Sequence, residues 1–241
     1  MFVANHGFIS PDDSRFAKIV QVNGAAALST AQFKYGTASV RVGAAYANLN
    51  AAYVAYNAVT ATDFQDINQW TNFTAECWVY YVGIATIDDG GYPATMGCME
   101  MGDYPMNWSF GADRNGSLRF VYVNGSTWYV ITSANSLITT ATWYHIAVVK
   151  QGTAITVYLN GTSVATGTLA ATISTAARPF SIGSYYRIGS NSYTDELRLS
   201  NTARYTANFT PAGPFYNDPY TLLLLHFDGA NGSTTILDDN S

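Results

Sequence analysis

Charged side chains are scarce in this sequence of 241 residues. Only 11% of the residues are Asp, Glu, Lys or Arg, whereas about a quarter is usual for a globular domain. The net charge is −5 and lysine occurs at only three positions, so the basic patch typical of a nucleic-acid-binding protein is not expected. Hydrophobic residues make up 48% of the chain, enough for a full core. The surface must therefore be largely Ser, Thr, Asn, Gly and Tyr, which suits contact with other subunits or with sugars.

Cysteine and long apolar runs are scarce too. Cys77 and Cys98 fit no zinc-binding pattern, and their spacing alone leaves a disulfide possible. Cys77 alternates with Val79 and Tyr81, which favours a buried free thiol. The longest apolar run, Leu222–Leu225, is far too short to cross a bilayer. The first residues lack the basic start and apolar stretch of a secretory leader, so no signal peptide is expected.

Turn residues divide the chain into many short segments of strand character. Trp143–Lys150 and Ala154–Leu159 are rich in aromatic and β-branched residues. Asn160-Gly161 then predicts a type I′ hairpin turn, which needs a positive φ at both central residues. Comparable segments recur about every ten residues, and none has sustained helical periodicity. The pattern predicts an all-β sandwich of two antiparallel sheets.

Several motifs in the second half of the chain resemble one known family. They are W-Y-H-I-A-V-V-K from Trp143, Y-L-N-G from Tyr158, Phe180–Gly183, Asp195–Ser200 and the run NTARYTANFTPAGPF that ends at Phe215. Together they resemble the laminin-G-like, concanavalin A-like jelly-roll domains, and above all the copies in phage and marine-virus structural proteins. The resemblance extends from about Val22 to Phe215. It implies an all-β, two-sheet antiparallel jelly roll and a laminin-G-like domain over residues 1–217.

The resemblance is specific for the fold and weak for the function, because the fold carries lectins, hydrolases, adhesion modules and structural parts. It implies a non-enzymatic viral structural protein, a capsid decoration or fibre component on the virion surface. The partners would be other copies of the chain or capsid proteins, with host-surface glycans as a further ligand and without insertion into a membrane. A carbohydrate-binding lectin or adhesin module is the alternative, and a glycoside hydrolase is the third.

The segment 218–241 has the character of a strand that begins a domain. In the family, a stretch like LLLLHFDG resembles the first strand and not the last. The segment can insert into its own domain, be donated to a neighbouring subunit, or belong to one unit of a tandem array. Four consecutive leucines are costly to leave in water, so burial is expected. The predicted assembly strand comprises Leu222, Leu223, Leu224, Leu225 and Phe227.

Catalytic residues are not apparent in the sequence. Glycoside hydrolysis needs two carboxyl groups about 5–5.5 Å apart for retention, or about 6.5–9.5 Å for inversion. Glu76, Glu100 and Glu196 have no acidic partner two or four residues away, and Asp195 points to the opposite face of a strand from Glu196. His145 is predicted to be a hydrogen-bonded structural histidine beside Trp143. The chain is therefore predicted not to be an enzyme.

Binding sites for sugars and calcium are possible on loops and outer faces. Exposed aromatic rings stack on sugar rings, although core or subunit contacts also explain such residues. The candidate aromatic residues are Trp108, Trp128, Tyr129, Tyr185 and Tyr186, and within each adjacent pair only one ring can face outwards. Calcium prefers carboxylate and carbonyl oxygens. The candidate ligands are Asp88, Asp89 and Asp103, for which a capped turn is the alternative explanation.

Overall fold

The computed structural model describes residues 20–43, 53–56, 68–84, 95–102, 106–176, 178–183 and 190–237. Within these ranges the chain forms fifteen strands and no helix, and therefore no helix that could cross a membrane. The strands are β1 (Val20–Asn23), β2 (Ala27–Ser29), β3 (Ser39–Val42), β4 (Tyr53–Tyr56), β5 (Asn72–Tyr81), β6 (Met96–Met101), β7 (Trp108–Ala112), β8 (Leu118–Asn124), β9 (Thr127–Thr132), β10 (Trp143–Gln151), β11 (Ala154–Leu159), β12 (Thr162–Thr168), β13 (Phe180–Ile182), β14 (Ser192–Ser200) and β15 (Thr221–Leu225).

The strands form two antiparallel sheets. Sheet A has the order β1-β4-β13-β6-β7-β8-β9. Sheet B has the order β12-β11-β10-β5-β14-β3-β2, and β15 also pairs with β14. Long strands are central in sheet B, where β10 pairs along its whole length with β5. This architecture confirms the predicted all-β, two-sheet jelly-roll sandwich.

The core between the sheets is built by strands that alternate their side chains. Along β5, Phe73, Cys77 and Tyr81 face inwards and are fully buried. Aromatic rings from sheet A meet them, and the ring centroids of Phe73 and Trp108 lie 6.2 Å apart. Aromatic side chains bury large apolar areas, so this layer supplies much of the stabilisation of the sandwich.

The two cysteines face this core from opposite sheets. Cys77 on β5 and Cys98 on β6 are both free and fully buried, which confirms the predicted free thiol. The Cys98 sulfur lies 2.9 Å from the Tyr81 hydroxyl. Burial raises the pKa of the Cys77 thiol well above its usual value, so Cys77 is held as an unreactive apolar side chain.

The predicted Asn-Gly turn joins β11 and β12. Asn160 has φ +49° and Gly161 has φ +77°, so both central residues have the positive φ that a type I′ turn requires. A later segment of the chain contacts this turn, because the Phe209 N–H donates to the Gly161 carbonyl at 2.9 Å. A Cβ atom at Gly161 would collide with the Phe209 carbonyl, so glycine is needed there for close approach as well as for φ.

The later segment, residues 201–220, covers the outer face of sheet B and is called the strap below. Tyr205 and Phe209 stack on each other with centroids 3.5 Å apart and planes 6° apart. The same two rings pack against Val149 and Tyr158 on the outer face of the sheet. Strands β5 and β10 are therefore buried on both faces, which explains why β10 is apolar on both.

The strand β15 lies alongside β14 of the same chain. β14 pairs through Ser192–Thr194 with β3 and through Leu197–Ser200 with β15, so two strands share one of its edges. Beyond β15, the Leu28 N–H donates to the Ser233 carbonyl and the Gly232 N–H donates back to the Leu28 carbonyl, each at 2.8 Å. The predicted assembly strand is buried, and its exposed fractions are Leu222 4%, Leu223 0%, Leu224 1%, Leu225 0% and Phe227 3%.

Candidate functional site

Trp108 is in the core and not on a binding surface. Its side chain has no exposed area and contacts Phe73, Phe120 and Phe180. The prediction that Trp108 stacks on a sugar is therefore wrong for this conformation. In the sequence, Trp108 and Phe110 alternate with Ser109 and Gly111. This alternation could have predicted that the tryptophan faces the core.

Of the predicted pair on β9, Trp128 faces outwards. Tyr129 stacks on Tyr122 with centroids 4.8 Å apart and joins the edge of the core. Trp128 is opposite Val123 on the other face of sheet A and packs against Val121, Val123 and Met106. Tyr185, Tyr186 and the predicted calcium ligands Asp88, Asp89 and Asp103 lie outside the described residues, so the calcium site stays a prediction.

The outer face of β9 forms a small amphipathic surface, called the β9 face below. It consists of Trp128, Val130 and Thr132, together with Val121 and Arg119 on the neighbouring strand β8. Val130 is 39% exposed although it is apolar. Arg119 is oriented by an ion pair to Asp113 at 2.7 Å. An aromatic and aliphatic floor with a polar rim is the usual composition of a site for a partly apolar ligand such as a sugar ring.

A carboxylate is buried beneath the strap on the outer face of sheet B. Glu76 is fully buried, and two guanidinium nitrogens of Arg198, Nε at 2.9 Å and Nη2 at 2.7 Å, donate to its Oε1. His145 Nε2 lies 3.1 Å and the Tyr205 hydroxyl 2.7 Å from its Oε2. Burial alone raises the pKa of Glu76, but the bond from His145 and the charge of Arg198 outweigh it and lower the pKa to about 2. Glu76 is therefore a structural anion.

His145 has the structural role that its strand position predicts, with a different main partner. Its ring is held by Glu76 and lies edge-on to Trp78, with centroids 5.5 Å apart. Phe209 and Phe215 of the strap close the other sides of the ring. Strand periodicity alone does not reveal this cluster, because Glu76 and Arg198 are 122 residues apart in the sequence.

The acidic pair on β14 is divided by a bulge between Asp195 and Arg198. Asp195 Oδ2 accepts hydrogen bonds from the backbone N–H groups of Lys34 and Tyr35 at 2.7 and 3.0 Å. Glu196 has φ +50° and its carboxylate lies 2.8 Å from His226 Nδ1. Both carboxyl groups are thus bound by groups of the chain itself. Among the described residues, no three His, Cys, Asp or Glu side chains cluster as metal ligands do.

Asp195 makes stability depend on pH. Burial raises the pKa of Asp195 to about 7, although backbone N–H groups oppose the shift. An unfolded Asp ionises near pH 3.9, so the stabilisation from protonated Asp195 is complete below about pH 4 and is lost as the pH rises through 7. We expect the urea midpoint to fall between pH 4.5 and 7.5. The fall should be smaller in Asp195→Asn, which keeps an acceptor oxygen and does not titrate. Equal falls in the two proteins would contradict this role.

The two-sheet fold defines the chain as a jelly-roll module of the lectin-like type. Residues 53–208 match the model of the family described as the concanavalin A-like lectin/glucanases superfamily, Laminin_G_3. The chain belongs to this family, as its motifs indicated. No curated protein sequence matches it.

Solved structures with a similar fold include binding domains of botulinum neurotoxins and one domain of an arabinanase. The receptor-binding domain of botulinum neurotoxin type G has a TM-score of 0.51 at 9% identity, covering 78% of this chain and 44% of that one. The binding domain of botulinum neurotoxin DC in complex with SialylT has the same TM-score at 12% identity, covering 77% and 43%. This chain thus spans less than half of those toxin domains. Domain 4 of the GH43 extracellular arabinanase AbnA from Geobacillus stearothermophilus, in complex with arabinotriose, has a TM-score of 0.51 at 17% identity, covering 77% and 82%.

Proposed function

We propose that this protein is a non-enzymatic, lectin-like binding module that holds carbohydrate on the β9 face. The observation that carries the proposal is the outward orientation of Trp128 beside the exposed Val130, on the edge strand of sheet A. A tryptophan ring with an apolar neighbour matches the apolar face of a sugar, and Arg119 and Thr132 supply polar groups at the rim. Because the surface carries few charged groups, a ligand that covers it removes few charges from water, and the desolvation cost is low. The arabinotriose complex of the arabinanase domain shows that a neighbour in fold takes an oligosaccharide.

The carboxylates of the central strands favour binding over catalysis. Glu76 is an ion-paired anion beneath the strap, and Asp195 and Glu196 accept hydrogen bonds from the chain. None of the three is positioned as the free acid or base that a glycosidase needs. The hydrolase alternative thus has no support from these residues.

Replacing Trp128 with alanine tests the β9 face. We expect wild-type protein to bind glycans on an array, and Trp128→Ala to weaken calorimetric binding of the best ligand at least tenfold, about 1.4 kcal/mol. Tyr220→Ala is the matched control, because Tyr220 is an aromatic side chain 55% exposed elsewhere on the surface. Equal affinity in the Trp128→Ala and wild-type proteins would exclude the β9 face as the site.

A role in assembly is the second proposal, and the position of β15 favours it. The strap connects β14 to β15, and β15 occupies one part of the β14 edge, so the same strand of another copy would fit that edge by exchange. In this proposal the chain is a decoration or fibre component on a virion surface. It contacts other copies or capsid proteins through the C-terminal strand and host glycans through the β9 face. Multi-angle light scattering checks it: concentration-dependent oligomers support donation of β15, and a monomer at all concentrations contradicts it.

A further inference from the structure

A row of aromatic side chains crosses the outer face of sheet B beside the region that the strap covers, and it is called the Tyr80 row below. Tyr80 on β5 is opposite Trp143 on β10 and Tyr193 on β14. Tyr193 is in turn opposite Arg41 on β3, so the row spans four neighbouring strands. The residues before and after Tyr80 are fully buried in the core, so the row faces outwards.

The side chains of the row contact one another and stay partly open to solvent. The ring centroid of Tyr80 lies 5.6 Å from that of Trp143 and 6.0 Å from that of Tyr193. The guanidinium carbon of Arg41 lies 5.1 Å from the centroid of the Tyr193 ring. All four side chains are half-buried. Aromatic residues and arginine are the residue types that protein interfaces favour in their centres.

Arg41 has donors that the chain does not use. Its Nη1 donates to the carbonyls of Val42 and Ser192, and its Nη2 donates to Asn191 Oδ1 at 2.7 Å. A guanidinium has five N–H donors, so two remain. The Nε–H donates to no described group and is open to solvent. Arg41 pairs with no carboxylate of the described residues, so its charge is uncompensated.

Lys34 brings a second cation to the border of the row. Its Nζ lies 4.3 Å from the ring centroid of Trp78, the next outward-facing residue of β5 after Tyr80. It forms no ion pair or hydrogen bond with the described residues, and it is open to solvent. Asp195 is opposite Trp78, but it is fully buried and its Oδ2 accepts from the backbone N–H groups of Lys34 and Tyr35.

The other unused polar atoms of the row can also donate. The Trp143 indole N–H and the hydroxyls of Tyr80 and Tyr193 have no partner among the described residues, and none of these atoms is buried. An indole N–H only donates, and a phenol hydroxyl donates or accepts. The complementary ligand is therefore an anionic acceptor attached to apolar groups that pack on the rings.

We propose that the Tyr80 row docks an acidic segment of another protein, with a carboxylate bound by Arg41 and apolar side chains on the rings of Tyr80 and Tyr193. A second copy of the chain fits less well. Each acidic side chain in the described ranges is buried or bound by a group of the chain itself. Nucleic acid fits less well too, because the net charge of −5 repels phosphates. The row is on the opposite sheet from the β9 face and is independent of it.

The test titrates the full chain with two short peptides and follows the Trp143 indole resonance by NMR. The probes are acetyl-Phe-Glu-Asp-Phe-amide and its neutral counterpart acetyl-Phe-Gln-Asn-Phe-amide. We expect the acidic peptide to bind with a millimolar dissociation constant, roughly tenfold tighter than the neutral one, as charge-assisted hydrogen bonds predict. Added salt should reduce this preference, because it screens charges at the surface.

Three variants locate the contact. Arg41→Gln should lower the affinity for the acidic peptide to that for the neutral one. Arg114→Gln, at an exposed arginine on sheet A, and Trp128→Ala on the β9 face should leave both affinities unchanged. If Arg41→Gln does not fold, Lys34→Gln replaces it, because the Lys34 ammonium has no hydrogen bond to lose. Lys34→Gln should weaken the acidic peptide alone, by roughly threefold.

Any of four results would overturn the proposal. The first is the absence of saturable shifts with the acidic peptide, and the second is equal affinity for the two peptides. The third is an unchanged preference in folded Arg41→Gln, or in Lys34→Gln where that variant replaces it. The fourth is a different occupant: tighter binding of oligothymidine, or a dimer in light scattering, either of which Arg41→Gln abolishes.

Discussion

A chain that ends before Asp218 should fail to fold. The truncation removes β15 and its four leucines, which are at most 4% exposed. Full burial of four such side chains is worth roughly 6–12 kcal/mol, at about 1.5–3 kcal/mol each. The whole stability of a domain is typically about 5–15 kcal/mol. The truncation also exposes the edge of β14 at Leu197–Ser200, and an unpaired strand edge promotes aggregation. Circular dichroism and urea unfolding of the truncated chain measure the effect.

Two point variants separate the burial of β15 from a general effect of truncation. Leu223→Ala should lower the free energy of unfolding by about 2–5 kcal/mol, because Leu223 is fully buried. Leu237→Ala, at a leucine that is 69% exposed, should change it by less than about 0.5 kcal/mol. A truncated monomer that is soluble and as stable as the full chain would show that the strand is dispensable.

The second large effect is expected from Glu76→Gln. The substitution removes the negative charge that pairs with Arg198, whose Nη2 lies 2.7 Å from Glu76 Oε1. The Arg198 side chain is only 10% exposed. Breaking a buried ion pair by removing one partner costs about 3–5 kcal/mol, because the other charge stays buried without compensation. Urea unfolding at pH 6 measures the loss. The double variant Glu76→Gln/Arg198→Met should recover part of it, since it leaves no uncompensated charge.

The pH dependence gives an independent check on Glu76. Its folded pKa is about 2, whereas an unfolded glutamate ionises near pH 4.3. Its stabilisation is therefore complete above about pH 4.3 and is lost as the pH falls towards 2. Wild-type protein should lose stability between pH 5 and 2.5 more steeply than Glu76→Gln. Equal slopes, or a Glu76→Gln protein as stable as wild type at pH 6, would contradict a structural ion pair.

Predictions that rest on local pattern agree with the structure. The alternation of Cys77 with Val79 and Tyr81 correctly indicated a buried free thiol. Asn160-Gly161 has the positive φ angles of the predicted turn. The motifs of the second half of the chain led to the right fold and family. Each of these signals lies within a few residues and depends on backbone geometry that neighbours determine.

Predictions about surfaces were less complete, because burial depends on distant segments. Trp108 and Trp128 were both predicted to be sugar-binding residues. Only the packing of the sheets shows that Trp108 is in the core and that Trp128 is on the outer face. The strap has no strand pattern, so nothing local shows that Tyr205 and Phe209 cover sheet B. The buried Oδ1 of Asn68, which has no hydrogen-bond partner, was also beyond local pattern, because burial depends on segments that are distant in the sequence.

The amino-acid sequence by itself determined the class of this protein: a sparsely charged, two-sheet β sandwich of the concanavalin A-like family. Strand periodicity and turn chemistry are properties of short stretches, and they persist whatever the stretches pack against. Only the tertiary structure decided which buried polar groups are paired, as Glu76 is with Arg198, and which have no hydrogen-bond partner, as Asn68 Oδ1. Those outcomes depend on strand register and on covering segments far away in the chain, where small differences in position decide whether a partner is within hydrogen-bonding distance.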